Sequence, residues 1–247
     1  MSFDAINFYQ NKTVWVIGGT SGIGLAMVEM LAKVQECEVI ASGRNIADLA
    51  KIQNVEAKTL DVTHANNFSQ VCDEIVQKHQ KIDVILFCAG TYEPMSLENF
   101  NAANALKILD TNLGSMAHFL ENIHKFYGKT TKLAIVSSVA GYFGMPNSLF
   151  YGASKAGLSH LVESLNIELK SKGIDVKLIN PGFVKTPLTA KNTFKMPFII
   201  SPEKAAEIIL QKLPKSTFEI AFPWKFVLIL KILKAFPQKI RAKILRR

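Results

Sequence analysis

Thr13-Val14-Trp15-Val16-Ile17-Gly18-Gly19-Thr20-Ser21-Gly22-Ile23-Gly24 decides how the chain is read. It opens with a β-branched and aromatic run, turns through glycines, and continues into an apolar helix pattern. Strand, glycine turn and helix in this order form a site for a pyrophosphate. The glycines allow a tight turn and close backbone approach, and the free N–H groups at the helix start face the negative charge. Gly18, Thr20, Ser21, Gly22, Ile23 and Gly24 are the residues nominated. The spacing is Gly-x-x-x-Gly-x-Gly rather than Gly-x-Gly-x-x-Gly, and taken alone an ordinary turn is an equal reading.

Outward from this stretch, short strand-like runs at 39–42, 55–60, 83–87, 133–136 and 175–179 alternate with helical patterns at 46–52, 68–79, 97–127 and 153–170. Such alternation predicts an α/β fold: a single doubly wound parallel sheet, Rossmann-like, with helices on both faces and its ligand crevice at the carboxyl ends of the strands. Residues 217–221 read as a closing strand, and an extra amphipathic helix follows. The boundaries expected are a catalytic domain at 1–221 and a basic amphipathic tail at 222–247.

A second anchor runs Ser137-Ser138-Val139-Ala140-Gly141 and on to Tyr151-Gly152-Ala153-Ser154-Lys155. Tyr151 and Lys155 are four apart, so a helix that already includes Tyr151 raises phenol and ammonium from one face. A nearby ammonium favours the phenolate and is expected to lower the tyrosine's pKa, which suits proton exchange with an alcohol or carbonyl. The Ser138 hydroxyl, at a strand's carboxyl end, can bond the same oxygen. Alone, Tyr-x-x-x-Lys reads more readily as an accidental surface pair.

Together the two anchors resemble the short-chain dehydrogenase/reductase family over residues 12–187. The resemblance implies hydride transfer between a nicotinamide and a carbonyl or alcohol, with Ser138, Tyr151 and Lys155 catalytic and Lys155 also bonding the nicotinamide ribose. It implies that Asp61 and Val62 meet the adenine, although a turn or cap role suits Asp61 as well. It implies that Asn112 holds a proton-relaying water, the alternative being a solvated amide. Pro181, Gly182, Val184 and Thr186 belong to the loop over the nicotinamide, and Ala89 and Gly90 allow its ribose to approach. Where the family usually has asparagine, this chain has Cys88, and a thiol cannot replace both the donor and the acceptor of an amide. No acid stands at Ser42, Gly43 or Arg44, and an arginine there accommodates a 2′-phosphate. NADP(H) is therefore expected over NAD(H), unless Arg44 is merely a solvated charge.

Length and composition agree with this reading. At 247 residues, with 49% hydrophobic, the chain can bury one sizeable core and is not disordered. Cys37, Cys72 and Cys88 form no paired motif, so reduced thiols and a cytoplasmic location are expected. Residues 1–10 lack a basic and an apolar signal region, and Phe3, Ile6 and Phe8 are expected to pack on the domain. His64, His79, His118, His124 and His160 show no metal spacing, so no metal is expected. A homodimer or homotetramer is expected, although the glycine-rich ending common in tetrameric family members is missing.

The net charge of +9 is concentrated in the tail. Lys225, Lys231, Lys234, Lys239, Lys243, Arg241, Arg246 and Arg247 face no acid there and account for all but one unit of it. Phe226, Ile229, Leu230, Leu233 and Phe236 are expected on one side of a helix that Pro237 breaks, too short to span a bilayer. An interfacial helix at the inner face of an anionic membrane, a helix packed on its own domain and a contact with a second subunit all remain open. Nucleic acid is not expected, because Trp224 is the tail's single stacking surface. The resemblance implies that the loop between Thr186 and Ser201 covers the substrate, so Phe194, Met196, Pro197, Phe198, Ile199 and Ile200, with Tyr92, Tyr142, Phe143 and Met145, are expected to make an apolar pocket, unless they pack on the chain itself. The rival to an enzyme is a catalytically idle, cofactor-sensing binding protein docked through its tail.

Overall fold

Side chains alternate along each central strand, and both faces are apolar, as a sheet covered on both sides requires. In the computed structural model, which describes residue 1 and residues 3–245, the strands are β1 (Thr13–Ile17), β2 (Glu38–Gly43), β3 (Val55–Thr59), β4 (Val84–Phe87), β5 (Lys132–Val136), β6 (Asp175–Pro181) and β7 (Glu219–Phe222). They form one parallel sheet in the order β3-β2-β1-β4-β5-β6-β7. The expected fold is the one found. Trp15, Ile17, Ile85, Phe87, Leu133 and Ile135 face α3 (Ala65–Lys78), α5 (Ser115–Asn122) and α6 (Leu149–Glu168). Val14, Val16, Val84 and Leu86 face α1 (Phe3–Tyr9), α2 (Gly22–Leu31) and α7 (Pro202–Lys212). Strand order reverses between β1 and β4, and a crevice opens there beyond the strand ends.

Several local expectations change in three dimensions. Residues 46–52 form only a 3-10 turn, Leu49–Lys51, because Leu49 alone of that turn finds a buried seat. The helix expected over 97–127 begins at Ala102, where the Asn101 side chain accepts from the Asn104 amide. It is α4 (Ala102–Leu109), then a π-turn Asp110–Gly114, then α5, and Asn112 sits within that wider turn. α6 starts earlier than 153, and α7 starts as expected, with Ser201 capping the Lys204 amide and Pro202 in the first turn. Phe3 is exposed rather than packed, and the buried anchor of α1 is Tyr9, whose hydroxyl donates to Leu210 O at 3.0 Å.

The tail forms α8 (Trp224–Ala235) and α9 (Gln238–Leu245), separated at Pro237; Arg246 and Arg247 lie outside the described residues. α8 buries Phe226, Val227 and Leu230, not the expected stripe: Ile229 and Phe236 are exposed. Among the described residues no helix is long and apolar enough to cross a membrane.

Candidate active site

The glycine turn, Arg44 after β2, Asp61 and Val62 after β3, Ala89 and Gly90 after β4, Ser138 after β5, Tyr151 and Lys155 on α6, and the loop 181–186 all line one crevice of about 670 Å³. Asn112 stands behind its wall and is buried.

At one end the backbone makes the site. Gly18 has φ +86°, and a side chain there would begin 2.6 Å from the Ala89 amide nitrogen, so β1 and β4 close on each other only through glycine. The first intrahelical bond of α2 runs from Leu25 N to Ser21 O at 3.2 Å, leaving the amides of Gly22, Ile23 and Gly24 at the open helix start. The Ser21 side chain makes no capping bond, and no acid stands in that first turn. This donor set fits a pyrophosphate. A Cβ on Gly22 would meet the Thr186 methyl at 3.0 Å, which places the loop 181–186 over the turn. Exposed Arg44 is the charged side chain at the end of β2, because Ser42 is buried and accepts from Trp15 Nε1 at 3.1 Å.

Asp61 makes a turn: its Oδ1 accepts from the Thr63 amide at 3.0 Å and the Thr63 hydroxyl at 2.8 Å. Partial burial raises its pKa, but these bonds, then His64 and Arg44, hold the carboxyl below the usual range. The turn role and a place on the crevice wall coexist in one side chain.

At the other end side chains converge. A Cβ on Gly141 would lie 2.8 Å from Ala156 N, and one on Gly152 would lie 3.2 Å from Ala140 O, so the segment after β5 lies flat against α6. Tyr151 is in the first turn of α6 and Lys155 in the next. Ser137 faces inward: its hydroxyl donates to Lys155 O at 2.9 Å and meets the Ser159 hydroxyl at 2.9 Å. Ser138 faces the same crevice as Tyr151, and its hydroxyl accepts from Ala140 N at 3.1 Å.

The expected lowering of the phenol's pKa is corrected. Burial, under a Tyr92 ring set edge-on at 4.8 Å, raises the Tyr151 pKa, and only the neighbouring Ser138 hydroxyl opposes it. The Lys155 ammonium does not relieve it, because Nζ donates to Val136 O at 3.0 Å. Burial pushes Lys155 itself down to about 8, with Cys88 opposing, and burial pushes the Cys88 thiol up to about 12.

With no amide at position 88, Asn112 ties the wall together. Its Oδ1 accepts from Thr91 N at 2.7 Å, and its Nδ2 donates to Thr91 O at 2.9 Å and to the Ser154 hydroxyl at 3.0 Å. Both amide hydrogens are therefore engaged by protein. Ser154 in turn donates to Tyr151 O at 2.7 Å. Ser154 escaped the sequence reading, although its place between Tyr151 and Lys155 was a usable signal.

The apolar pocket is rearranged from expectation. Tyr92, Met145 and Phe194 line the crevice, and Phe183 and Phe226 join them. Tyr142 and Phe143 turn away and pack with α8, while Phe198 and Ile199 are exposed. Phe226, from the tail, had no sequence signal toward the site. It arrives there because Gly182 leaves room: a Cβ on Gly182 would sit 2.8 Å from its ring. The Tyr92 hydroxyl donates to Asn192 Oδ1 at 2.6 Å, and Lys191 donates to Tyr92 O at 3.0 Å, joining the loop after β4 to the loop after β6.

A doubly wound sheet with a glycine turn at its switch point and a serine, tyrosine and lysine at the crevice defines a class of nucleotide-dependent oxidoreductase. The model of the short chain dehydrogenase family matches residues 12–196. An uncharacterized oxidoreductase of Myxococcus xanthus is 30% identical over 236 residues, covering 92% of this chain and 93% of that protein. The 3-oxoacyl-[acyl-carrier-protein] reductase FabG of Rickettsia prowazekii is 32% identical over 218 residues, covering 85% and 84%. A short chain dehydrogenase of Burkholderia cenocepacia, solved in complex with NADP, superposes with a TM-score of 0.84 at 20% identity, covering 96% of this chain and 99% of that one. The chain belongs to the short-chain dehydrogenase family and is an NAD(P)-dependent oxidoreductase.

Proposed function

We propose that the protein is an NADP(H)-dependent reductase of an apolar carbonyl compound, with Tyr151 as the proton donor. The observation that carries this reading is the convergence of Ser138, Tyr151 and Lys155 in a crevice whose far end is the glycine turn. Arg44 at the end of β2 supports the phosphorylated cofactor, as does the NADP found in the Burkholderia relative. When bound, the nicotinamide supplies the hydride to the carbonyl carbon. Ser138 holds the carbonyl oxygen by a hydrogen bond. The raised pKa keeps the Tyr151 phenol protonated at neutral pH, the form a donor needs as negative charge develops on that oxygen. Lys155, at about 8, remains mostly cationic at neutral pH, and its Nζ, held by Val136 O, is placed to bond the nicotinamide ribose. Asn112 and Ser154 act as positioning residues that fix the start of α6 against the loop after β4.

The same reading includes a homo-oligomer, for which exposed Leu106 on α4 and Ile167 on α6 offer surface, and a cytoplasmic protein that meets membranes peripherally through its tail. A panel of ketones, aldehydes and 3-oxoacyl thioesters assayed by loss of NADPH absorbance tests the assignment. Turnover of the apolar members, faster with NADPH than with NADH, is the expected result. A panel wholly inert with both cofactors contradicts it.

A further inference from the structure

The outer side of the tail is not explained by catalysis. Trp224, Leu228 and Ile232 recur every four residues along α8 and are 68%, 51% and 53% exposed, and Phe236, Ile240 and Ile244 continue the apolar exposure through α9. Phe194, Phe198 and Ile199 are exposed on the loop before α7. These two exposed groups are joined through the crevice lip. The Phe198 ring lies 6.1 Å from that of Phe226, and Phe183 lies 5.5 Å from Phe226 and 5.8 Å from Phe194. Phe183, Phe194 and Phe226 also line the crevice, so one apolar surface runs from inside the site onto the exposed tail.

The charge around this surface has one sign. No acid occurs between Asp175 and Glu203, and none follows Glu219. Lys231 pairs with Glu219 and Lys191 with Glu93, but Lys195, Lys225, Lys239 and Lys243 are exposed and meet no carboxylate among the described residues. A two-fold contact with a second copy would press the same patch against itself and bring these cations together without compensation. An anionic phospholipid surface supplies both the apolar phase and the missing negative charge, and tryptophan beside lysine is suited to its interface.

We infer that α8, α9 and the 193–199 loop dock on an anionic phospholipid bilayer with the crevice lip at the interface, so that a long-chain carbonyl lipid enters the site directly from the membrane. Docking stands on this surface alone, and the entry route rests on the reductase reading above. The tail is also tied to the site: Lys231 and Tyr142 both donate to Glu219, at 2.7 Å and 2.5 Å, and Arg241 lies over the Phe143 ring at 5.3 Å. Bilayer contact is thereby held in a fixed relation to the segment carrying Ser138.

The test uses the full chain with vesicles of phosphatidylcholine, with or without phosphatidylglycerol. It follows flotation, Trp224 emission against the fully buried Trp15, and turnover of one long-chain ketone in the vesicle and one short water-soluble ketone. Wild type is expected to float with phosphatidylglycerol vesicles and to shift its emission to the blue. Lys225→Glu combined with Lys239→Glu and Lys243→Glu is expected to weaken that affinity by about a hundredfold or more. Leu228→Glu with Ile232→Glu, which keeps the Trp224 reporter, is expected to abolish the emission shift and to slow the vesicle-borne ketone, with the soluble ketone unchanged. Phe3→Glu on α1, where the side chain is exposed and away from the tail, is expected to behave as wild type. Equal flotation of wild type and both tail variants overturns docking, as does a blue shift that grows with protein concentration in the absence of lipid, which reports a second copy. Intact docking with a vesicle-borne rate indifferent to the tail variants overturns the entry route. Lipid-dependent flotation with neither ketone turned over supports docking and counts against the reductase reading alone.

Discussion

The two ends of the crevice hold their ligands by different means. At the glycine end, backbone amides and tightly closed strands make the surface, and little depends on side-chain identity beyond the absence of Cβ atoms. At the tyrosine end, residues distant in sequence meet: Tyr92, Met145, Phe183, Phe194 and Phe226 come from separate segments. The first end has the backbone geometry that fits a pyrophosphate, and the second is an apolar surface assembled from side chains. The contrast teaches that the two ends answer to different substitutions, one to any added Cβ and the other to the identity of its side chains.

The strongest way to break the contrast is Gly18→Val. With φ +86° and backbone atoms within 3 Å of the new Cβ, the substitution is expected to cost upwards of about 3 kcal/mol and to remove cofactor binding along with stability. Thermal unfolding and a cofactor titration check this, and a stable, cofactor-binding variant would refute the backbone account. Next in size is Arg44→Asp, which is expected to shift the ratio of NADPH to NADH affinity by roughly 10- to 100-fold toward NADH, because charge-assisted bonds to a phosphate become repulsions. Fluorescence titration with both cofactors reads it, and an unchanged ratio would leave Arg44 a solvated charge.

The smallest effect lies outside the crevice, where the segment after β5 meets α8. Tyr142→Phe removes the hydroxyl that donates to Glu219 and is expected to cost about 1–2 kcal/mol at pH 7 without changing cofactor affinity. Burial raises the Glu219 pKa, but Lys231, Tyr142 and Asn180 together hold it below its ordinary 4.5. A depressed carboxylate adds stability above the unfolded pKa and loses it as pH falls through the folded one. The gap between wild type and Tyr142→Phe should therefore shrink below about pH 4.5. Denaturant melts at several pH values check the sign, and a gap that widens on acidification would exclude the network.

How much of this was legible in the sequence follows from the same contrast. The sheet was legible because β1, β2, β4, β5 and β6 are apolar runs separated by helical patterns, and local periodicity suffices to read them. The glycine turn and the Ser138, Tyr151 and Lys155 set were legible through the family resemblance of the motifs taken in order, since either motif alone reads as an ordinary turn or a surface pair. The break of the long helix at Asn112 was not, because a π-turn differs from an α-turn only in which carbonyl each amide reaches. The raised phenol pKa was hidden for a similar reason. Four-residue spacing puts Lys155 on the right face, but the carbonyl of Val136 and the burial by Tyr92 are tertiary facts. Phe226 was invisible as a site residue, since nothing near it in sequence records the gap over Gly182 that admits its ring.

Single-turnover oxidation of bound NADPH by Tyr151→Phe, with a carbonyl taken from the panel, tests the proton-donor assignment most directly. The variant should bind NADPH as wild type does and lose hydride transfer by about a thousandfold, because the proton is no longer delivered to the forming alkoxide. Transfer at the wild-type rate from a phenylalanine at position 151 would contradict the assignment.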